Sequence, residues 1–264
     1  MMIAGNFLDL LKQEHSPFVS APNLLHTAPA STQTALTSAT TILAFKYREG
    51  LLIAGDRRAT AGNMVMFDRA DKVIDIDRHS VMAIAGSPAT AFEMARVLSH
   101  SFQYYRRSQL QDLSLEGKVR ALSRLLKENV PAAVQGIGTV VPIFVAYDPE
   151  NAQKHIYFYD MLGAEFEVVD FATTGSGSPG IRGVLHFYNR WNSEPISALS
   201  QDDAVVLAMR LLETAAEHDS ATGGIKTAAQ VFPTVKTITE EGVRSLSLAN
   251  LKSLYHEKVE NRHV

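Results

Sequence analysis

The chain has 264 residues, is 46% hydrophobic and carries a formal net charge of −3, enough to bury one large core without a second domain. That balance gives no reason to expect a nucleic-acid or anionic-membrane surface, and the absence of cysteine removes disulfides, thiolate catalysis and cysteine-ligated metal sites. No apolar run approaches the roughly 20 residues of a membrane span, and the N-terminus lacks the basic start of a secretory signal, so a cytoplasmic location is expected.

Residues 1–39 differ from the rest. Asp9, Lys12 and Glu14 are their only formally charged residues, and the stretch 17–39 is rich in Ser, Thr, Ala and Pro. Such a segment has little to order it by itself. It reads as a floppy tail or, in the sharper reading, as a prosegment that is later removed, ahead of a single domain over 40–264. The composition changes to dense β pattern at Thr40-Thr41.

Thr41–Tyr47 and Leu51–Asp56 are apolar and β-favouring, broken by Arg48-Glu49-Gly50, which is a hairpin signal. Folding near Glu49 sets Asp56 across from the start of the first strand, where opposed side chains lie about 4.5–5.5 Å apart, and makes it a neighbour of Thr40. Lys72–Ile76 and Ser80–Ala85 repeat the pattern around Asp77-Arg78-His79. Lys72 is expected opposite Gly86 across this second turn.

Ser87 and Pro88 then mark a helix start, with Phe92, Ala95, Leu98, Phe102 and Tyr105 at helical spacing. A second helix begins near Ser114, with Pro131 expected beyond its end. Strands are expected at Val140–Tyr147, His155–Asp160 and Glu165–Ala172, then helices near 181–191 and 201–217. A hairpin of Val235–Thr239 with Val243–Ser247 and a closing helix over 248–260 follow. This order does not alternate β-α-β-α, so antiparallel sheets covered by helices fit better than a parallel doubly wound sheet.

Several spellings invite a function. Gly175-Ser176-Gly177-Ser178-Pro179-Gly180 reads G-x-G-x-x-G between a strand and a helix. A dinucleotide site also needs a following parallel strand ending in an acid, and the next element is another helix. A tight turn whose backbone closely approaches something fits better. His218-Asp219-Ser220 has the letters of a hydrolase triad, but adjacent residues at a helix end point apart. Asp219-Ser220-Ala221-Thr222-Gly223-Gly224 reads as a helix C-terminus with a glycine stop. No cofactor or metal site is expected.

Thr40, Asp56 and Lys72 carry the chemistry best. An N-terminal threonine holds a nucleophilic hydroxyl and, in its α-amine, a base that titrates at about 7.7–8.0. A nearby ammonium such as Lys72 favours the ionised hydroxyl, and Asp56 would keep that ammonium in place. The Gly86 N–H, just before a helix N-terminus, suits a developing oxyanion.

With these residues in hand, the chain resembles the bacterial, actinobacterial-type proteasome β subunits. Thr40-Thr41-Ile42-Leu43-Ala44, Ala54-Gly55-Asp56-Arg57-Arg58-Ala59-Thr60, Gly62-Asn63-Met64, Lys72-Val73, Ile84-Ala85-Gly86, Gly175-Ser176-Gly177-Ser178 and Asp219-Ser220-Ala221-Thr222-Gly223-Gly224 recur in family order. The resemblance implies a four-layer αββα N-terminal-nucleophile hydrolase sandwich, α+β in class, with two antiparallel sheets between helix layers. It implies a threonine endopeptidase that cleaves itself at Ala39-Thr40. Thr40 would be nucleophile and base, Asp56 and Lys72 its charge partners, and Gly86 the oxyanion donor. Ser176, Asp219 and Thr222 would surround the Thr40 amine. Peptide would add as a strand between Thr60 and the turn at Gly86–Pro88, with Ala59, Ala70, Ile84, Pro88 and Phe92 lining or bordering the first specificity pocket. Paired seven-membered β rings, capping α subunits, polypeptide substrates and a separate ring ATPase are the implied partners, since no G-x-x-x-x-G-K-[ST] loop is present. Glycine commonly precedes the nucleophile in this family, whereas here Ala39 does. A structural ring subunit that never exposes Thr40, and a small-amide hydrolase of the same fold, are the alternative readings.

Overall fold

Two five-stranded antiparallel sheets form the centre of the molecule. The computed structural model describes residues 40–61 and 64–260. The segment 1–39, Ala39 with it, and the Gly62-Asn63 pair lie outside the described residues. The first sheet has the order β10-β1-β2-β11-β12, with β1 (Thr41–Lys46), β2 (Leu51–Gly55), β10 (Phe171–Gly175), β11 (Thr234–Thr239) and β12 (Gly242–Ser245). The second has the order β5-β6-β7-β8-β9, with β5 (Val73–Asp77), β6 (Ser80–Ala83), β7 (Ile143–Asp148), β8 (Gln153–Tyr159) and β9 (Glu165–Val168). A separate two-stranded ribbon pairs β3 (Ala59–Ala61) with β4 (Met64–Phe67).

Each sheet is buried on both faces, so its central strands read as unbroken apolar runs. Along β1, Ile42 and Ala44 pack between the sheets with Val73, Val81, Ile143 and Val145. Leu43 and Phe45 point the other way. They meet Ile181 and Leu185 of α3 (Ser178–Trp191) and Leu211 and Leu212 of α4 (Gln201–His218). On the far side, Met82 and Phe144 cover Leu98 and Phe102 of α1 (Pro88–Gln109) and Leu122 and Leu126 of α2 (Leu115–Ala133). Helix α5 (Leu248–Lys258) closes the first helix layer through Leu251. The result is a sandwich of two antiparallel sheets with flanking helices. Truncating a core side chain such as Leu43 to alanine costs about 2–5 kcal/mol in such an interior.

The structure departs from the sequence reading at several points. The expected strand Glu165–Ala172 is two strands: β9 pairs with β8 in one sheet, and β10 pairs with β1 in the other. The chain changes sheets at Val169-Asp170, where Lys46 N–H donates to the Asp170 carbonyl at 2.9 Å. Pro131 lies inside the last turn of α2 rather than beyond it. There it forfeits a single helical hydrogen bond, while Ala133 is held in the core. In α1 the buried stripe is Ala91, Met94, Ala95, Leu98 and Phe102. Phe92 is 40% exposed, so it belongs to the outer face.

Candidate active site

The β1–β2 hairpin turns near Glu49, as expected: Ile42 pairs with Gly55, and Asp56 N–H donates to the Thr41 carbonyl at 3.1 Å. Asp56 is therefore across from Thr41, the start of the first strand, next to Thr40 in the chain. In β5–β6, Val73 pairs with Ala83, and an irregularity between Asp75 and Asp77 shifts the register. Lys72 lies opposite Ile84, whose N–H donates to its carbonyl at 2.9 Å, and not opposite Gly86. Gly86 instead bridges to Val140. The tertiary fold still brings the two hairpins together.

Asp56 is fully buried and Lys72 is 4% exposed. The Lys72 ammonium donates to Asp56 Oδ1 at 2.7 Å, and the Thr41 N–H donates to the same oxygen at 2.9 Å. Asp56 Oδ2 accepts from the Arg58 and Gly223 N–H groups, both at 2.9 Å. Four donors thus satisfy a carboxylate that burial would otherwise penalise heavily. Burial pulls the Lys72 pKa below the ordinary lysine value, while the carboxylates of Asp56 and Asp219 oppose that and Arg58 adds to it. An ammonium so placed gives up a proton more readily than a solvated lysine.

A second cluster sits at the end of α4. Asp219 Oδ2 accepts from Ser176 Oγ at 2.5 Å and from Thr222 Oγ1 at 2.6 Å, and Oδ1 accepts from the Ala221 N–H at 3.1 Å. Burial alone raises its pKa, but these hydrogen bonds and the Lys72 charge outweigh it and hold the carboxyl below the usual range. Asp56 and Asp219 are oriented by the same local device. Each accepts from the N–H two residues on, the Asx-turn geometry open to aspartate.

Thr40 is 3% exposed and connects to the second cluster through its carbonyl, which accepts the Ser176 N–H at 2.9 Å. The G-x-G-x-x-G loop makes this approach possible. Gly175 has φ +101°, and a Cβ on it would lie 1.7 Å from the Thr40 carbonyl oxygen. A Cβ on Gly177 would lie 2.5 Å from Thr41 Oγ1. The loop is thus the close-approach turn expected, with Thr40 and Thr41 as what it approaches. Gly223, read as a helix stop, has another purpose: α4 ends on Asp219 as its cap, and a Cβ on Gly223 would press on Arg58 Cβ at 2.9 Å.

Gly86 precedes α1 with φ +111°, and a Cβ there would meet the Thr139 carbonyl oxygen at 2.1 Å. Of the expected pocket residues, Ile84 and Thr60 are buried, Ala59, Ala70 and Pro88 are half-buried, and Phe92 is exposed. Thr60 Oγ1 is buried without a hydrogen-bond partner. Its strand β3 is paired on one edge, by β4. The sequence reading overlooked Arg58. Its guanidinium reaches the Ser220 and Thr222 carbonyls at 2.8 and 3.3 Å and Asp68 at 3.1 Å, bracing the Asp219 turn against β3. An arginine two residues after Asp56 was the only available signal.

A sandwich of two antiparallel sheets, with a buried lysine–aspartate pair beside the first described residue, is consistent with the N-terminal-nucleophile hydrolase class. The family description "Proteasome subunit" matches residues 36–231. The chain is 41% identical over 207 residues to proteasome subunit beta 2 of Thermomonospora curvata, covering 78% of this chain and 71% of that protein. It is 37% identical to the proteasome subunit beta of Streptomyces griseus, covering 79% and 72%. Against proteasome subunit beta 1 of Streptomyces avermitilis it is 33% identical, covering 98% and 90%. The chain belongs to the proteasome subunit family, among its bacterial β subunits.

Proposed function

We propose that this chain is a threonine endopeptidase, the catalytic β subunit of a barrel-shaped proteasome that degrades unfolded proteins to peptides. The observation that carries this is the buried Lys72–Asp56 pair, whose shared oxygen also takes the N–H of the residue directly after Thr40. In the precursor the Thr40 nitrogen is an amide and cannot act as a base. Self-cleavage at Ala39-Thr40 removes the prosegment 1–39, leaves the domain 40–264 and liberates the α-amine. That amine takes the Thr40 hydroxyl proton as the oxygen attacks the peptide carbonyl, and it returns the proton to the departing amine. Lys72, held by Asp56, stabilises the developing alkoxide, and the Gly86 N–H receives the oxyanion. Ser176, Asp219 and Thr222 hold the amine. Water then releases the acyl group from Thr40.

Substrate adds as a strand to the open edge of β3, between Thr60 and the turn at Gly86–Pro88, with Ala59, Ala70, Ile84, Pro88 and Phe92 at the first pocket. Family membership supports assembly with other proteasome subunits; in this reading they are stacked seven-membered β rings under α subunits, fed by a separate cytoplasmic ring ATPase. Among the described residues no helix is long and apolar enough to cross a membrane.

Ala39, where family members commonly carry glycine, favours one other reading, a ring subunit that is never processed. Intact-mass analysis separates the two. Loss of 1–39 from the wild type but not from Thr40→Ala is expected, and a wild-type chain that stays full length in assembled particles refutes the proposal. Native mass then distinguishes a large barrel from a small-amide hydrolase working as a small oligomer.

A further inference from the structure

The residue after the proposed nucleophile is tethered through its amide, its carbonyl and its hydroxyl. Thr41 is fully buried. Its N–H donates to Asp56 Oδ1 at 2.9 Å, and its carbonyl accepts the Asp56 N–H at 3.1 Å. Its hydroxyl lies 3.0 Å from the Gly177 nitrogen and 2.5 Å from Thr222 Oγ1.

The direction of each hydroxyl bond follows from donor and acceptor inventory. An ionised Asp219 only accepts, so the single Thr222 hydroxyl proton points to Asp219 Oδ2. Thr222 Oγ1 can then only accept from Thr41, so the Thr41 proton points to Thr222. The Thr41 oxygen is left to accept the Gly177 N–H. Every step runs one way: Gly177 to Thr41, Thr41 to Thr222, Thr222 to Asp219. This occupation also means that Thr41, although adjacent to Thr40, is not poised to attack, because its hydroxyl proton is committed to Thr222.

We propose that Thr41 is a positioning residue for hydrolysis at Thr40, its buried amide and hydroxyl joining the Lys72–Asp56 pair to the Asp219–Thr222 turn. Thr41 is the covalent neighbour of Thr40, and its amide and hydroxyl together set the spacing between the two carboxylates. The hydroxyl also keeps the Thr222 proton turned toward Asp219, so that Thr222 presents an acceptor to its surroundings. The inference rests on Thr40 being the nucleophile.

The test uses the full chain with Thr41→Val, which keeps shape and amide but lacks the hydroxyl, and with Thr41→Ser, which restores it. Peptide hydrolysis is measured well below the melting temperature of each variant and expressed per Thr40 N-terminus liberated, counted by intact mass. Stranding the Gly177 N–H and loosening the turn should lower kcat about ten- to a hundred-fold for Thr41→Val, with KM changed by less than about two-fold. Thr41→Ser should recover kcat to within about three-fold of wild type. If Thr41→Val does not fold, Thr222→Val cuts the same relay one link further on and should give the same split between kcat and KM. A Thr41→Val enzyme with wild-type kcat, a loss that serine does not rescue, or a KM that rises as kcat falls would overturn the proposal. Thr40→Ala is run alongside: hydrolysis persisting there removes the nucleophile assignment itself, a different result from any of these.

Discussion

The two carboxylates that frame the site are built differently. Asp56 has no solvent exposure, receives four donors and binds a lysine ammonium directly. Asp219 is half-buried and receives two hydroxyls and one N–H. Lys72 reaches it only through space. A charge sealed from water is tolerable only when fully partnered, and removing one partner leaves an uncompensated ion. A carboxylate with access to water can exchange partners at small cost. The Asp56 side is thus the more fully sealed and partnered of the two, and the Asp219 side the one open to solvent.

Cutting each side in turn should expose that difference. Asp56→Asn strips the Lys72 ammonium of its counter-charge and turns an amide NH₂ toward backbone donors. We expect a loss of about 3–5 kcal/mol in urea unfolding, as for other broken buried pairs. Gly175→Ala should come next, since its Cβ would enter the Thr40 carbonyl oxygen from a positive-φ backbone. Strain alone costs about 1–3 kcal/mol there, and peptide hydrolysis should fail with it.

A smaller effect should separate Asp219 by pH. Its folded pKa lies below its ordinary value, so its contribution is complete above about pH 4, the unfolded carboxylate range. It is lost as pH falls from there through the lowered folded pKa. Unfolding followed from pH 5 down to pH 3 should therefore show wild type losing more stability than Asp219→Asn. Equal slopes would mean that the hydroxyls do not favour the ionised form. The smallest effect belongs to Gly180→Ala, in the same loop motif as Gly175. A Cβ there meets nothing within 4 Å, and alanine early in α3 should change stability by no more than about 1 kcal/mol, in the favourable direction. A large loss would show that the motif is constrained along its whole length, not only where it meets Thr40 and Thr41.

Hairpin arithmetic set Asp56 against the start of β1, where it lies, but misplaced Lys72 against Gly86. Lys72 and Gly86 are not equally far from Arg78: six residues before that turn lies Lys72 and six after it lies Ile84, and those two face each other. The sheet change at Asp170 was hidden because β9 and β10 share one β-favouring run, and nothing local says which sheet each half joins. Strand β4 escaped because Met64, Val65, Met66 and Phe67 are all exposed, so its apolar pattern reports no packing inside this chain. Thr41 could be seen only as an adjacent hydroxyl. Its partners Gly177 and Thr222 are 136 and 181 residues away, and no spacing rule reaches that far. By contrast, the glycines at 175 and 177 were legible as a close approach, because glycine density reports steric need even when the object approached is unknown.

The account stands on a hydroxyl and an amine carried by one residue. The sharpest measurement treats assembled particles with a peptide-based electrophile and locates the adduct by peptide mass spectrometry. A chain that begins at Thr40 and carries one adduct there is the predicted result, with both processing and labelling absent in Thr40→Ala. A mature chain that starts elsewhere, or Thr40→Ala particles that still cleave peptides, would contradict it.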